Sequence, residues 1–176
     1  MAEATEKKYS AVSIKKLWYT DVLTAAPTEA GMAALVASAK EIDNVHQDTW
    51  QIEESEPSQD SYRNQLTGAV YRMGEKTMGD VTFNFTIGRY DFATKAALMG
   101  GEATATSWIR PRGIVEIKKC LIALTQDNVY CILPTANLTA REANTDGAVG
   151  IGVIGTMLEP DNVQIMPEYW YAKAES

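Results

Sequence analysis

The sequence predicts a mainly β fold, a β-sandwich or barrel with one or two short helices and an extended hairpin arm. Three observations lead there. Val81, Phe83, Phe85 and Ile87 alternate with Thr82, Asn84 and Thr86, the period of a strand with one buried face. Strand-like runs outnumber helical ones along the chain. Residues 43–80 hold few apolar side chains, too few for a core of their own, and a stretch that long between elements has a use outside the core.

Taken in order, residues 1–10 are polar and are expected to stay mobile until bound. A first strand is expected over Ala11 to Tyr19, with Lys15 and Lys16 disturbing its alternation. A helix from about Thr28 to Ala39 follows Pro27, with Met32, Leu35, Val36 and Ala39 on one face. The segment 43–80 reads as a long strand pair or arm, with turn-prone residues from Glu56 to Ser61. After the strand at 81–87, Asp91 caps a short helix whose apolar face is Phe92, Ala96 and Met99, stopped at Gly100 and Gly101. Further strands are expected at 103–109, 113–124, 129–139, 148–158 and 163–171. Gln126 to Asn128 suits a hairpin turn, and residues 141–147 read as a polar loop. Lys118 and Lys119 interrupt an apolar alternation, as a bulge or an edge position would. Trp108, Tyr169 and Trp170 are expected in the core.

The 176 residues suit one domain, and 45% apolar with 22% charged content is that of an ordinary folded protein. No apolar run nears the about 18 residues that cross a bilayer, so no membrane anchor is expected. The start carries no secretory pattern, which places the chain where it is made. The net charge of −7 is local. Between Glu41 and Asp60 lie seven acids and no base, which is the whole excess. Such a chain is poorly suited to gripping nucleic acid. Asp48, Glu53, Glu54, Glu56 and Asp60 suit either a solvated face or an acidic lumen or stacking face that DNA slides past.

No catalytic, cofactor-binding or metal-binding set emerges, and no enzyme activity is expected. Gly150, Gly152 and Gly155 match a dinucleotide fingerprint as a string, yet they alternate with Val149, Ile151 and Val153 inside a strand. The chemistry needs a helix opening after the glycines. The expected use is a strand with a bare face against which a helix or another subunit packs. Gly68 to Thr77 misses the phosphate-loop spacing. His46, the single histidine, sits in a polar stretch without a nucleophile pattern. Cys120 and Cys131 fall in apolar runs and read as buried thiols. Arg110, Arg112, Lys118 and Lys119 form a basic neighbourhood, either a charged strand edge or a partner for another subunit's acidic stretch.

The run from Leu66 to Gly101, including Gly79 to Gly88 and Phe92 to Gly101, resembles the tail-tube proteins of long-tailed bacteriophages. So does the order of strand, helix, polar hairpin arm, core strand, short helix and closing strands. Tube proteins of type VI secretion machines share that layout. The resemblance implies copies in hexameric rings, sheets joined around a lumen, and rings stacked through the arm and termini into a tube. The partners would be the chain itself and other phage tail proteins, with DNA only as transiting cargo. It would be made in the bacterial host cytoplasm, from a phage or prophage, and end in the virion tail. Trp50, Ile52, Tyr62, Leu66, Tyr71 and Met73 are the expected arm contacts. The alternative is a soluble β-sandwich binding module, for instance for carbohydrate, stacking sugars on Trp18, Trp50 and Tyr62.

Overall fold

Strands of the body form where apolar residues recur at every second position or run together, and β10 shows what one long strand of this kind does. The computed structural model of the chain describes residues 6–174. Its elements are β1 (Lys16–Thr20), α1 (Met32–Ser38), β2 (Lys40–Ile42), β3 (Gln51–Glu54), β4 (Ser58–Arg63), β5 (Val70–Thr77), β6 (Val81–Ile87), α2 (Phe92–Met99), β7 (Glu102–Ala103), β8 (Trp108–Ile109), β9 (Ile117–Leu124), β10 (Val129–Thr145), β11 (Ala148–Met157) and β12 (Tyr169–Ala172). The fold is mainly β, with a large antiparallel sheet in the order β2-β1-β9-β10-β11-β6-β3 and β12 added on β10. Tyr130 to Ile132 of β10 pair with both β9 and β12, whereas Ala136 to Thr145 pair with β11. Between these halves the register slips at Pro134 and Thr135, opposite Cys120. A bulge of this kind bends a strand and sharpens its twist, so β10 serves both layers of a sandwich-like sheet.

The bulge also accounts for the interrupted alternation at Lys118 and Lys119. They lie beside it, and β1 pairs with β9 only from Cys120 onward. Among the described residues, one side of β9 is therefore free of a partner strand at the two lysines.

The interior follows from the strand periods. Leu17, Tyr19, Leu121, Ala123 and Leu133 meet Phe83, Phe85, Ile87, Ile151 and Val153 in the main core. Phe83 sets its ring edge-on to Phe85 at 5.9 Å and to Trp50 at 5.8 Å. Each such side chain contributes about 1.5–3 kcal/mol on burial. The opposite face of β9 and the first half of β10 carries a second cluster of Trp18, Cys120, Ile122, Leu124, Tyr130 and Ile132, covered by Met32, Leu35 and Val36 of α1 and by Tyr169 and Tyr171 of β12. Both cysteines are buried and free, and burial pushes both thiols up, that of Cys120 to about 12. Glycine is required in β11 where its own chain approaches. A Cβ at Gly150 would stand 2.5 Å from the Ile87 carbonyl oxygen, and one at Gly155 would stand 2.6 Å from Leu121 Cδ1. The expected helix or second subunit is not what these glycines admit; strand β6 and the core are.

Several boundaries differ from expectation. β1 starts at Lys16 because Ala11 and Ser13 take φ of 49°, which ends an extended run. Ser10 and Ala11 N–H groups donate to Asp127 Oδ2 at 3.0 and 2.9 Å, tying part of the expected mobile segment to the β9–β10 turn; residues 1–5 of that segment lie outside the described residues. α1 starts at Met32, since Thr28 to Gly31 close a turn through Gly31 N–H to the Thr28 carbonyl at 3.1 Å. The strand expected at 103–109 shrinks to the short pair β7–β8. Residues 141–145 are strand rather than loop, and the turn is Asp146-Gly147, both at positive φ (53° and 97°), the backbone of a tight two-residue hairpin. The last strand begins at Tyr169 rather than 163.

In α2 the cap is as expected but the buried face is not. Asp91 Oδ1 accepts the Thr94 N–H at 2.7 Å, while Thr94, Lys95 and Leu98 are the buried residues, with Met99 partly buried against the main core and Phe92 and Ala96 half-buried. The bonds from Thr94, aided by Lys40 at 3.0 Å, hold the Asp91 carboxyl down at about 2. Asp91→Ala is expected to destabilise the protein by about 1 kcal/mol at neutral pH. A depressed carboxylate stabilises the fold above its ordinary value near 3.8 and loses that contribution as pH falls through about 2. Thermal melts at pH 7 and pH 2 are expected to show the difference between wild type and variant shrinking at the lower pH.

Candidate functional site

The stretch that lacks a core of its own divides into two unlike parts. Residues 43–54 belong to the body, which corrects the reading of 43–80 as one arm. Asn44 Oδ1 accepts the N–H groups of Gly88 and Arg89 at 3.0 Å each, and the His46 N–H donates to the Thr86 carbonyl at 2.7 Å. β3 then pairs with β6, placing Ile52 opposite Phe83. Trp50 and Ile52 pack on the main core, so neither lies on the arm. Their alternation marks a body strand, which a sparse polar neighbourhood disguises.

The arm proper is β4 and β5, which pair with each other and with no further strand among the described residues. Its ladder continues that of β3 and β6. Glu54 faces Val81, and four residues farther along each strand Ser58 faces Thr77. Across the gap the Ser55 N–H donates to the Asp80 carbonyl at 2.9 Å, and the Asp80 N–H donates to Ser55 Oγ at 2.8 Å. Gly79 makes this junction possible, because a Cβ there would collide with the Ser55 carbonyl oxygen. The expected turn at Glu56 to Ser61 is therefore mostly strand, and the real turn is at 64–69. There the Asn64 N–H bonds to the Ala69 carbonyl at 2.8 Å and the Gly68 N–H to the Asn64 carbonyl at 2.7 Å, with Gly68 at φ 73°.

The arm exposes what a folded chain normally hides. Leu66 at the tip is 94% exposed, Tyr71 66% and Met73 51%, with Tyr62, Val70 and Met78 also exposed. The Arg72 guanidinium lies 4.2 Å from the centre of the Tyr62 ring, and Arg63 donates to the Gly68 carbonyl at 3.0 Å. Neither arginine has a carboxylate within 4 Å among the described residues. Charge is thus divided along the arm. Glu53, Glu54 and Glu56 are exposed at its root and Asp60 midway along β4, while Arg63 and Arg72 sit near its tip. Asp48 is exposed too but stands apart from them, in the turn before β3 at φ 58°. His46 is half-buried rather than a free surface group, its Nε2 2.9 Å from Asp146 Oδ2.

The basic neighbourhood is not one patch. Arg110 reaches Glu142 at 3.4 Å and Lys119 reaches Asp21 at 2.8 Å, whereas Arg112 and Lys118 are exposed. The sequence reading missed the centre of this arrangement. Lys95, its side chain only 8% exposed, lies 3.1 Å from Glu142 and 4.3 Å from the centre of the Trp108 ring. Trp108 in turn donates Nε1–H to the Gly100 carbonyl at 3.0 Å. A lysine on a helix face without apolar period carries no signal of burial; the one hint is Trp108 two residues from Arg110. Lys95, and then Arg110, hold the Glu142 carboxyl below its usual range. Of the aromatics offered as sugar platforms, Trp18 is 6% exposed and Trp50 packs on Phe83, leaving Tyr62. Trp170, expected in the core, is 42% exposed.

Glu142→Gln leaves the buried Lys95 ammonium without its charged partner and is expected to cost about 1–3 kcal/mol. The double variant Lys95→Met with Glu142→Gln is expected to recover most of that loss in urea unfolding, since a hydrophobic replacement of similar volume removes the unpaired charge. No protein-family model matches this chain, and no curated protein matches it.

Proposed function

We propose that this protein is a structural virion subunit that assembles with copies of itself into stacked rings, forming the tail tube of a bacteriophage. The observation that carries the reading is the arm. It is a preformed, two-stranded ribbon that holds Leu66, Tyr71 and Met73 out to solvent and away from the core of its own chain. An apolar projection of this kind gains its stabilisation only on another molecule. Charge supports the same reading. The acids at the arm root give a surface that repels DNA rather than holding it, as a conduit for transiting genome requires. The mainly β body is of the kind that the resemblance to tail-tube proteins implies, which adds support. Rings need two complementary patches on each copy, and repetition of such a contact closes a ring or extends a filament.

Negative-stain electron microscopy and sedimentation of the purified protein over rising concentration test the reading. Wild type is expected to form rings or tubes of uniform diameter. The variant Leu66→Glu, Tyr71→Glu, Met73→Glu is expected to stay monomeric while its stability moves by no more than about 0.5 kcal/mol per site. A wild type that remains monomeric at every concentration, or a triple variant that assembles as well as wild type, overturns the proposal.

A further inference from the structure

A groove of about 480 Å³ opens beside β3, with Ile14, Val45, Trp50, Ile52 and Trp170 along it and Asp48 at its rim. It runs between two strand edges. β3 ends the strand order of the main sheet, and β12 pairs with β10 alone among the described residues. The acidic side chain of its lining is Asp48, which is exposed and meets no lysine or arginine within 4 Å among the described residues.

The tip of the arm has the complementary chemistry. Leu66 projects from the turn between Arg63 and Arg72, and neither arginine meets a carboxylate in its own chain among the described residues. The arm cannot return to its own groove. It leaves the body just after β3, and the eight residues of β5 carry the tip about 25 Å outward along a paired ladder. We infer that the groove is the socket for the arm tip of a second copy of this chain. Leu66 fills the apolar floor between Trp50 and Trp170, and Arg63 and Arg72 face Asp48. The inference rests on the self-assembly reading and adds to it the surface that receives the arm. Tip and socket are different patches, so each copy gives one and takes one, and the contact repeats head to tail.

Cysteine pairing in the full chain tests this, since the native thiols are buried. One batch carries Leu66→Cys and another Gln47→Cys, the latter at a groove position. After mixing under mild oxidation, a disulfide-linked dimer is expected from the mixture, and none from Leu66→Cys mixed with Glu159→Cys in the separate groove at 158–162. Arg72→Glu is expected to weaken assembly at least tenfold in concentration, and adding Asp48→Arg is expected to restore it. Melting temperatures of all variants are checked so that unfolding is not read as lost docking. If wild type forms rings but the mixture gives no linked dimer and Trp170→Ala assembles normally, the socket is wrong while self-assembly stands. Failure of wild type to assemble at all removes the self-assembly reading, and the socket with it. Saturable quenching of tryptophan fluorescence by cellohexaose, abolished by Trp170→Ala with assembly unchanged, would assign the groove to a sugar and overturn the socket.

Discussion

One hydrogen-bonded register sets how the arm leaves the body. It is set in the body, where Glu54 faces Val81, and resumes where Ser58 faces Thr77. Because the side chains of a strand alternate faces, a one-residue slip would move every residue to the opposite face. The core prevents that slip. Phe83 and Phe85 are held in the main cluster, so β6 cannot move along β3, and the arm inherits that alignment at Ser58 and Gln59, beyond which its pairing shifts between Gln59 and Ser61 and again between Tyr62 and Arg63. The projection therefore has a defined direction and a defined tip without burying apolar surface of its own.

The body meets ordinary demands by ordinary means. Periodic strands fill two clusters, a bulge at Pro134 and Thr135 lets β10 join two layers, and glycines in β11 admit close neighbours. The cluster of Lys95, Glu142, Trp108 and Arg110 is the exception. An ammonium almost removed from water there is held by one carboxylate and an aromatic face, an arrangement that fixes the 101–116 connection against α2 and β10 at the cost of desolvation. Polar contacts of that type define geometry more than they add stability.

Much of this fold is legible in the amino-acid sequence. Residues 81–87 announce their strand because one face is buried and the other half-open, the condition under which alternation is cleanest. Asp91 and the paired glycines bound α2 for local reasons that tertiary packing does not alter. The misreadings have physical causes as well. Asp146-Gly147 is a strong hairpin signal, yet the polar residues around it belong to the solvent side of a long strand and imitate a loop. Ile52 is an apolar residue of an edge strand and Trp50 directly precedes it, with exposed acids beside them, so their allegiance to the core depends on β6, far along the chain. The arm itself is visible as a shortage of apolar residues, but its division into an acidic root and a cationic tip appears only when the true turn at 64–69 is known.

The continuous ladder also makes the arm a mechanical element. A pull on Leu66 along the ribbon travels through β5 into β6, a strand clamped between β11 and β3, and loads the β6–β11 hydrogen bonds side by side rather than one after another. The thin point lies at Ser55, Gly79 and Asp80, where regular pairing lapses and the bonds between Ser55 and Asp80 bridge the strands. Under tension the ribbon would hinge or part at that neck while the body kept its fold, so in the proposed assembly a subunit held by its arm would flex without risking its own interior.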